Sequence, residues 1–156
     1  MWPRLAKQIA AEREMLNRLL ADHRTLIDKC EHSSPEKIEI SALAAMLHSF
    51  YTGIENLFER IAIELDEGLP QGPAWHKELL ARMSLPAPRR PAVISPGLAE
   101  NLREYLEFRH FFRGAYTFQV LWDRMAHLVQ GCPLALKNLE AELDVFIKAM
   151  SEKDTP

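Results

Sequence analysis

Residues 108–118 read FRHFFRGAYTF, a stretch that mixes aromatic rings with positively charged side chains around a single glycine. Its apolar residues recur at steps of three and four, and the same spacing continues beyond it: Phe108, Phe111, Ala115, Phe118, Trp122, Met125 and Val129. This spacing is typical of a helix that buries one face in a core. It predicts one long helix from Ser95 and Pro96 to about Gln130, with Gly114 in its interior. Because an interior glycine costs about 1 kcal/mol relative to alanine, the stretch is expected to do more than support the fold.

The first two helices are predicted from the same periodicity. Apolar residues at three-, four- and seven-residue intervals predict a helix over residues 3–30. Ser34 is a favourable N-cap and Pro35 a favourable first helical residue, so a second helix is expected to begin there. The apolar period then continues until a glycine and a proline follow each other closely, which predicts that the second helix ends near Gly68.

The remaining helices are set apart by proline. A short helix is predicted over residues 75–83, and four prolines within 85–96 exclude regular helix or central strand from that segment. Pro133 predicts the start of a last helix that ends near Met150. No segment alternates in the two-residue period of a strand. The predicted fold class is therefore all-α, an up-and-down bundle of four long helices plus a short helix, and helices of this length favour a dimer.

Length and charge restrict the function further. The chain has 156 residues and a formal net charge of −3, so we expect one domain over residues 1–150, followed by a frayed tail over 151–156. With this net charge, any contact with a nucleic acid must come from a local patch. Cys30 and Cys132 match no metal spacing and are predicted to be reduced thiols. No metal or cofactor is expected.

Export and membrane insertion are not predicted. The N-terminal residues pass directly into a charged, periodic pattern without the apolar core of a signal peptide. No apolar run approaches the ~20 residues that a membrane span requires. The sequence therefore predicts a cytoplasmic protein.

The polar residues of the opening stretch allow two interpretations. Arg109, Arg113 and Tyr116 follow each other at helical spacing beside the apolar stripe, and aliphatic residues continue their line further along. A solvated, charged helix face is one interpretation. A cleft that faces a partner is the other, because the aliphatic residues would have no purpose on a merely solvated face. The spacing alone does not decide between them.

The run YLEFRHFFRGAY at residues 105–116 resembles the active-site motif of HEPN-domain proteins, specifically the HepT-like ribonuclease toxins. Their pattern is an arginine, four residues, a histidine, one residue and a tyrosine. Arg109 matches the arginine and Tyr116 the tyrosine, whereas Gly114 stands at the histidine position. Similar features occur in the same order elsewhere in the chain, namely His48, Tyr51, Gly53 and Glu55, the pair Trp75 and His76, and the Arg-Pro-Ala-Val-Ile linker.

The resemblance implies a homodimeric toxin of a toxin–antitoxin pair that cleaves RNA without a metal. In such a site an arginine holds the scissile phosphate, and a histidine exchanges the proton of a ribose 2′-hydroxyl or of the leaving oxygen. Arg109 is the implied phosphate ligand, with Glu55 as the residue that orients it or simply pairs with it. His110 and Arg113 are candidate contacts for RNA phosphates.

Tyr116 has a second implied role. HepT-like toxins are paired with a small nucleotidyltransferase antitoxin, which attaches AMP to the motif tyrosine. A bulky anion beside Arg109 would neutralise the phosphate-binding charge and block RNA. The resemblance therefore implies that Tyr116 is the site of modification; the alternative is a tyrosine that packs its ring in a dimer interface.

Gly114 implies that catalysis is impaired in this chain. Glycine has no proton to exchange, so loss of general acid–base catalysis should slow cleavage by about 10²–10⁴-fold. His110, one turn earlier, is the only local candidate to take over the proton. Two origins for the glycine stay open: a natural homologue that kept binding and lost cleavage, or a toxin disarmed by one substitution.

Two other classes of function stay open on the sequence. One is a non-enzymatic helical module that binds a nucleotidyltransferase partner or a nucleotide, and the other is a purely structural bundle. Trp75 and His76 are interpreted as a packing pair, with base stacking by Trp75 as the alternative. Arg89 and Arg90 are interpreted as solvated charges, with an RNA or partner contact as the alternative.

Overall fold

The computed structural model describes residues 2–155, and helix is the regular structure of this range apart from one β-bridge between Ala87 and Arg90. The helices, in chain order, are α1 Trp2–Lys29, α2 Lys37–Leu65, α3 Trp75–Met83, α4 Pro96–Gly114 and α5 Trp122–Lys153, with a 3₁₀ turn at Thr117–Gln119. This confirms the all-α prediction of four long helices plus a short one. Within residues 2–155, no helix combines the length and apolarity needed to span a membrane.

Helix α2 lies at the centre of the bundle. It packs against α1, α3, α4 and α5. The main packing partners of the short helix α3 are α2 and α4. Its buried residues occur on every turn, which is expected for a helix that is covered on most sides. At Gly53, an added Cβ atom would lie 2.8 Å from Cδ2 of Leu16, so the absence of a side chain allows α1 to approach α2 closely.

Helix α2 begins slightly later than predicted. The N-cap is Glu36, two residues after Ser34, and its backbone N–H donates to Oε1 of Glu39 at 2.9 Å in a capping box. Glu39 is therefore a better partner for the free N–H groups than the predicted Ser34 and Pro35 arrangement. The helix ends at Leu65, close to the predicted Gly68, and the chain reverses through positive φ angles there.

The long helix predicted from Ser95 to Gln130 is wrong. Its start is confirmed, because Ser95 is the N-cap and its Oγ accepts the N–H of Leu98 at 3.1 Å. However, α4 ends at Gly114, so this glycine is a terminal residue and not an interior one. Ala115 adopts an extended conformation with ψ 145°. Gly114 is a poor helix former, and the aromatic and β-branched residues that follow do not re-establish the helix at once.

The turn between α4 and α5 is held by its own hydrogen bonds. The N–H of Tyr116 donates to Oε1 of Gln119 at 2.8 Å, and the N–H of Val120 donates to the carbonyl of Thr117 at 3.2 Å. As a result the predicted apolar stripe is interrupted. Phe118 is 78% exposed and Phe111 is 49% exposed, whereas other residues of the stripe, such as Met125, are buried in the core.

Helix α5 continues through Pro133, where the sequence predicted a new helix. A proline inside a helix removes one hydrogen bond and costs about 3 kcal/mol. Here Val129 and Cys132 before the proline and Leu136 after it are buried in the same core. Packing on both sides thus keeps the helix continuous. The helix also extends to Lys153, beyond the predicted end at Met150. Pro156, the last residue of the predicted tail, lies outside the described residues.

Both cysteines are free and buried. Burial raises the thiol pKa of Cys30 and of Cys132, which disfavours the reactive thiolate in the folded protein.

Arg90 fastens the proline-rich segment to the end of α2. Its Nε and Nη2 donate to the two carboxylate oxygens of Asp66, each at 2.6 Å, and its Nη1 donates to the carbonyls of Leu85 and Pro91 at 3.0 and 3.1 Å. The side chain is fully buried. The interpretation of Arg90 as a solvated charge is therefore wrong, whereas Arg89 is exposed.

Candidate functional site

Three polar side chains from three helices meet inside the bundle. Nη2 of Arg109 on α4 donates to both carboxylate oxygens of Glu55 on α2, at 2.9 and 3.0 Å. Nδ1 of His76 on α3 lies 2.8 Å from Oε2 of Glu55 and 3.1 Å from Nη2 of Arg109. Arg109 and Glu55 are each 5% exposed, so this is a buried ion pair with a histidine at its edge.

The surroundings explain why a charge is tolerated at this depth. A buried charge is costly unless it is paired and hydrogen-bonded, and Glu55 supplies both to Arg109. One turn before Glu55, the ring of Tyr51 lies under the guanidinium, with its centroid 5.0 Å from Cζ of Arg109. Burial, and after it the charge of Glu55, raises the pKa of the Tyr51 hydroxyl, which keeps this residue neutral.

The shortest polar contact of His76 favours one tautomer of its ring. A carboxylate only accepts hydrogen bonds, so the 2.8 Å contact with Glu55 favours the proton on Nδ1, and the longer 3.1 Å contact with Nη2 of Arg109 then joins two donors and is not a hydrogen bond. In the neutral ring this leaves Nε2 as a proton acceptor. The indole of Trp75 stacks on the imidazole, with centroids 3.8 Å apart and planes tilted by 30°. The ring of His76 is thus held by a hydrogen bond and by a stacking contact.

A pocket of about 340 Å³ opens beside this cluster, between α3 and α4. It is lined by Pro73, Ala74, His76, Lys77, Leu106, Glu107, Arg109, His110 and Arg113. Lys77, Arg109 and Arg113 are the cationic residues in this list and Glu107 is the one acidic residue in it. Glu55 offsets the charge of Arg109, so the lining has a local excess of positive charge from Lys77 and Arg113, although the net charge of the chain is negative. Within residues 2–155, no group of three or more His, Cys, Asp and Glu side chains is arranged to hold a metal ion.

The predicted site residues fall into two groups. Arg109, His110 and Arg113 line the pocket, and Glu55 lies behind Arg109, where it forms the ion pair that the sequence had suggested. Gly114 and Tyr116 are not among the lining residues. Tyr116 lies beyond the end of α4, is 71% exposed and stacks its ring on Phe118 at 5.4 Å. The predicted continuous stripe of Arg109, Arg113 and Tyr116 on one helix face is therefore wrong.

His76 is the site residue that the sequence did not identify. It was interpreted as a packing partner of Trp75, and the stacking contact confirms that part. Its bond to Glu55 spans 21 positions between two helices and has no local pattern. The signals available were its position close to the start of a short helix and the place of the Trp75 and His76 pair in the resemblance.

His48 provides a probe of the charge around the site. It is half-buried on α2, and its ring lies 5.7 Å from that of Phe112. Burial lowers the pKa of its imidazole, and the charges of Arg109 and Arg113 lower it further. The folded protein therefore keeps His48 neutral at pH values where the unfolded chain binds a proton. The stability from this group is present above about pH 6.5 and is lost as the pH falls through the folded pKa.

Arg113→Gln should raise the pKa of His48, because it removes one of the positive charges that oppose protonation. The value should stay below that of a free histidine, since burial is the larger cause. Titration of the imidazole resonances by NMR measures the change. Arg103→Gln, on the same helix and paired with Glu107, is the control and should leave the pKa of His48 unchanged. A pKa of His48 above about 6.5 in the unsubstituted chain would contradict this account.

Comparison with known proteins agrees with the resemblance seen in the motif. Residues 42–150 match the model of a family described as HepT-like protein. No curated protein and no solved structure is significantly similar to the chain. The match includes α3, α4 and almost all of α5, together with the part of α2 that carries Glu55, and it covers well over half of the sequence. The chain therefore belongs to the HepT-like family of HEPN type.

Proposed function

We propose that this chain is the toxin component of a toxin–antitoxin pair, a metal-independent endoribonuclease whose own cleavage is strongly impaired at Gly114. Family membership supports the general class of activity. The observation that carries the proposal is the basic pocket between α3 and α4, which joins Arg109 of the motif to His110 and Arg113. This is the local patch that a chain of net charge −3 requires in order to bind RNA.

Arg109 and Arg113 are proposed to share the binding of phosphate. Arg109 uses Nη2 for Glu55, and a guanidinium has further N–H donors that can meet a phosphate oxygen in the pocket. Arg113 is exposed at the rim and can follow the RNA backbone as it enters. His110, also exposed, is proposed as a further contact with the RNA.

The impairment follows from the chemistry of glycine. Cleavage through the 2′-hydroxyl needs one group that accepts a proton and another that supplies one to the leaving oxygen. Gly114 can do neither. We therefore propose that the chain as written binds RNA in the pocket and cuts it very slowly.

A second copy of the chain is proposed to cover the turn between α4 and α5. Phe118 and Leu121 are exposed in this turn, and Phe111 is exposed in the last turn of α4. Large exposed apolar residues that lie close together commonly mark protein interfaces. A homodimer formed at this end would bring two pockets near each other.

Tyr116 is proposed as the site of AMP attachment by a small nucleotidyltransferase antitoxin. Its exposure and its position outside the helix favour access by a second enzyme. The phosphate of an attached AMP would lie three residues from Arg113 in sequence, where it would compete with RNA for the positive charge.

Incubation with ATP and a small nucleotidyltransferase antitoxin of the kind proposed as the partner should add AMP to Tyr116 alone. Intact-protein and peptide mass spectrometry measure the addition. Tyr116→Phe should abolish it, and Tyr51 and Tyr105, both 1% exposed, serve as internal controls that remain unmodified. Modification of a different residue, or none, would show that the partner acts in another way.

The alternative function is a non-enzymatic module that binds a nucleotidyltransferase or a nucleotide. The observation in its favour is that Arg109 is already committed to Glu55 and lies close to His76. Under this alternative, a nucleotide or RNA binds in the pocket and the Gly114→His variant cuts no RNA. Filter binding and a cleavage assay on the same labelled RNA separate the two functions.

A further inference from the structure

We propose that His76 is a catalytic residue of this site: its Nε2 accepts the 2′-hydroxyl proton of an RNA bound in the pocket between α3 and α4. The inference rests on the proposed ribonuclease function and assigns the proton acceptor within it. It places that role on α3, outside the motif on α4.

The hydrogen bonds leave the correct atom free for this role. Nδ1 carries the proton and donates to Oε2 of Glu55 at 2.8 Å, toward the buried side. The neutral ring then has its lone pair on Nε2. Within residues 2–155, no hydrogen bond to Nε2 of His76 is found, and the residue lines the basic pocket. A proton acceptor thus borders the volume in which RNA is proposed to bind.

The supporting residues restrict the ring to one orientation. Trp75 stacks on one face of the imidazole, which opposes rotation of the ring. Glu55 is itself fixed, because both of its oxygens accept from Nη2 of Arg109. A carboxylate behind a histidine fixes the tautomer and stabilises the positive charge that forms when the ring takes a proton. Glu55 is therefore a positioning residue for both Arg109 and His76.

The proposed step transfers one proton to His76 and exchanges one bond at phosphorus for another. The proton of the 2′-hydroxyl moves to Nε2 of His76, and the 2′-oxygen forms a bond to the adjacent phosphorus. The bond from phosphorus to the 5′-oxygen breaks, and that oxygen leaves with the electron pair and takes a proton. The products are a 2′,3′-cyclic phosphate and a free 5′-hydroxyl. Water must supply the second proton in the chain as written, whereas an imidazole at position 114 would supply it in the Gly114→His variant.

With His76 as the proton acceptor, Gly114 affects only the second proton transfer, the one to the leaving oxygen. With glycine at position 114, the site lacks a group that can protonate the leaving oxygen but keeps the acceptor, Glu55 and Arg109. His76 should then be required in two backgrounds, for the slow cleavage by the unsubstituted chain and for the faster cleavage by Gly114→His.

The test compares His76→Asn and His76→Ala in the Gly114→His background and in the chain as written. Asparagine retains an N–H near the position of Nδ1, so it can keep the bond to Glu55 but cannot accept a proton. The expected loss of cleavage rate for His76→Asn is about 10²–10⁴-fold. Binding of an all-2′-deoxy oligonucleotide and the thermal midpoint should stay the same. Added imidazole should restore part of the rate to His76→Ala, and His127→Asn, an exposed histidine beside Glu104, is the matched control.

The outcomes separate this inference from the proposed function. Full activity of His76→Asn in an active Gly114→His background overturns the role of His76 and leaves the ribonuclease function standing. A loss that imidazole does not restore to His76→Ala also overturns it, because the role would then be positional. The unsubstituted chain could also cut RNA fast and lose this activity in the His76→Asn variant. That result supports the catalytic role of His76 and contradicts the impairment at Gly114. If Gly114→His and the unsubstituted chain both fail to cut RNA, both proposals are wrong.

Discussion

Gly114→His should raise the rate of RNA cleavage by about 10²–10⁴-fold, the usual contribution of a general acid or base. The motif then contains the arginine, the histidine and the tyrosine at the spacing of the HepT-like ribonucleases. The new imidazole would follow Arg113 directly, at the end of the helix that lines the basic pocket. The measurement is cleavage of a labelled RNA by the purified protein, together with growth arrest on expression.

The structure accommodates this substitution without distortion. A Cβ atom at position 114 would meet no other atom within 4 Å, and the φ angle there is not positive. Gly114→Ala is therefore the matched control: it adds the same Cβ and improves the helix without adding a titratable group. Cleavage by the alanine variant at the rate of the histidine variant would show that backbone stiffness, and not proton transfer, had been missing. Failure of both variants to cut RNA would remove the disarmed-toxin explanation.

Arg90→Met should lower the free energy of unfolding by about 3–5 kcal/mol, the largest effect on stability that we expect from one substitution. It removes the partner of Asp66, whose side chain is only 3% exposed, and an unpaired buried carboxylate is costly. It also removes the donors that bind the carbonyls of Leu85 and Pro91. Urea denaturation followed by circular dichroism measures the change.

Two further variants test the cause of this loss. Arg89→Met changes the neighbouring arginine, which is exposed and donates to the carbonyl of Glu64, and it should cost less than about 1 kcal/mol. Arg90→Met combined with Asp66→Leu removes both buried charges and should recover much of the stability. If the double variant is as unstable as Arg90→Met alone, the loss comes from the carbonyl contacts of the loop and not from the unpaired carboxylate.

The helices that could be predicted are those that begin or end with a strong local signal. Ser95 followed by Pro96 identified the start of α4, and Gly68 identified the end of α2 to within a few residues. The break after Gly114 could not be predicted, because Ala115, Phe118 and Trp122 happen to continue the helical period across it. At Pro133 the sequence predicted the start of a new helix, whereas α5 continues through this residue. Burial of the residues around it outweighs the lost hydrogen bond, and burial of this kind is a tertiary property.

The site was predictable only as far as the motif extends. The pairing of Arg109 with Glu55 was expected and is present in the structure, whereas the role of Arg109 as a phosphate ligand stays a prediction. The third member, His76, depends on the way in which the short α3 packs against both α2 and α4. The local sequence around His76 does not predict how α3 packs against these two helices. The role of Tyr116 as a site of modification stays a prediction, and its place outside the helix depends on the unpredicted break.

The close approach of α1 to α2 at Gly53 affects which register the two helices adopt when they pack. Two long amphipathic helices can slide past each other by a turn and still bury most of their apolar faces. A slide of one turn would place Ser49 or Leu57, each with a Cβ atom, opposite Leu16, where Gly53 leaves room for the leucine side chain. The missing side chain thus favours the observed register of the helix pair, and Gly53→Ala would require the side chain of Leu16 to move in that register as well.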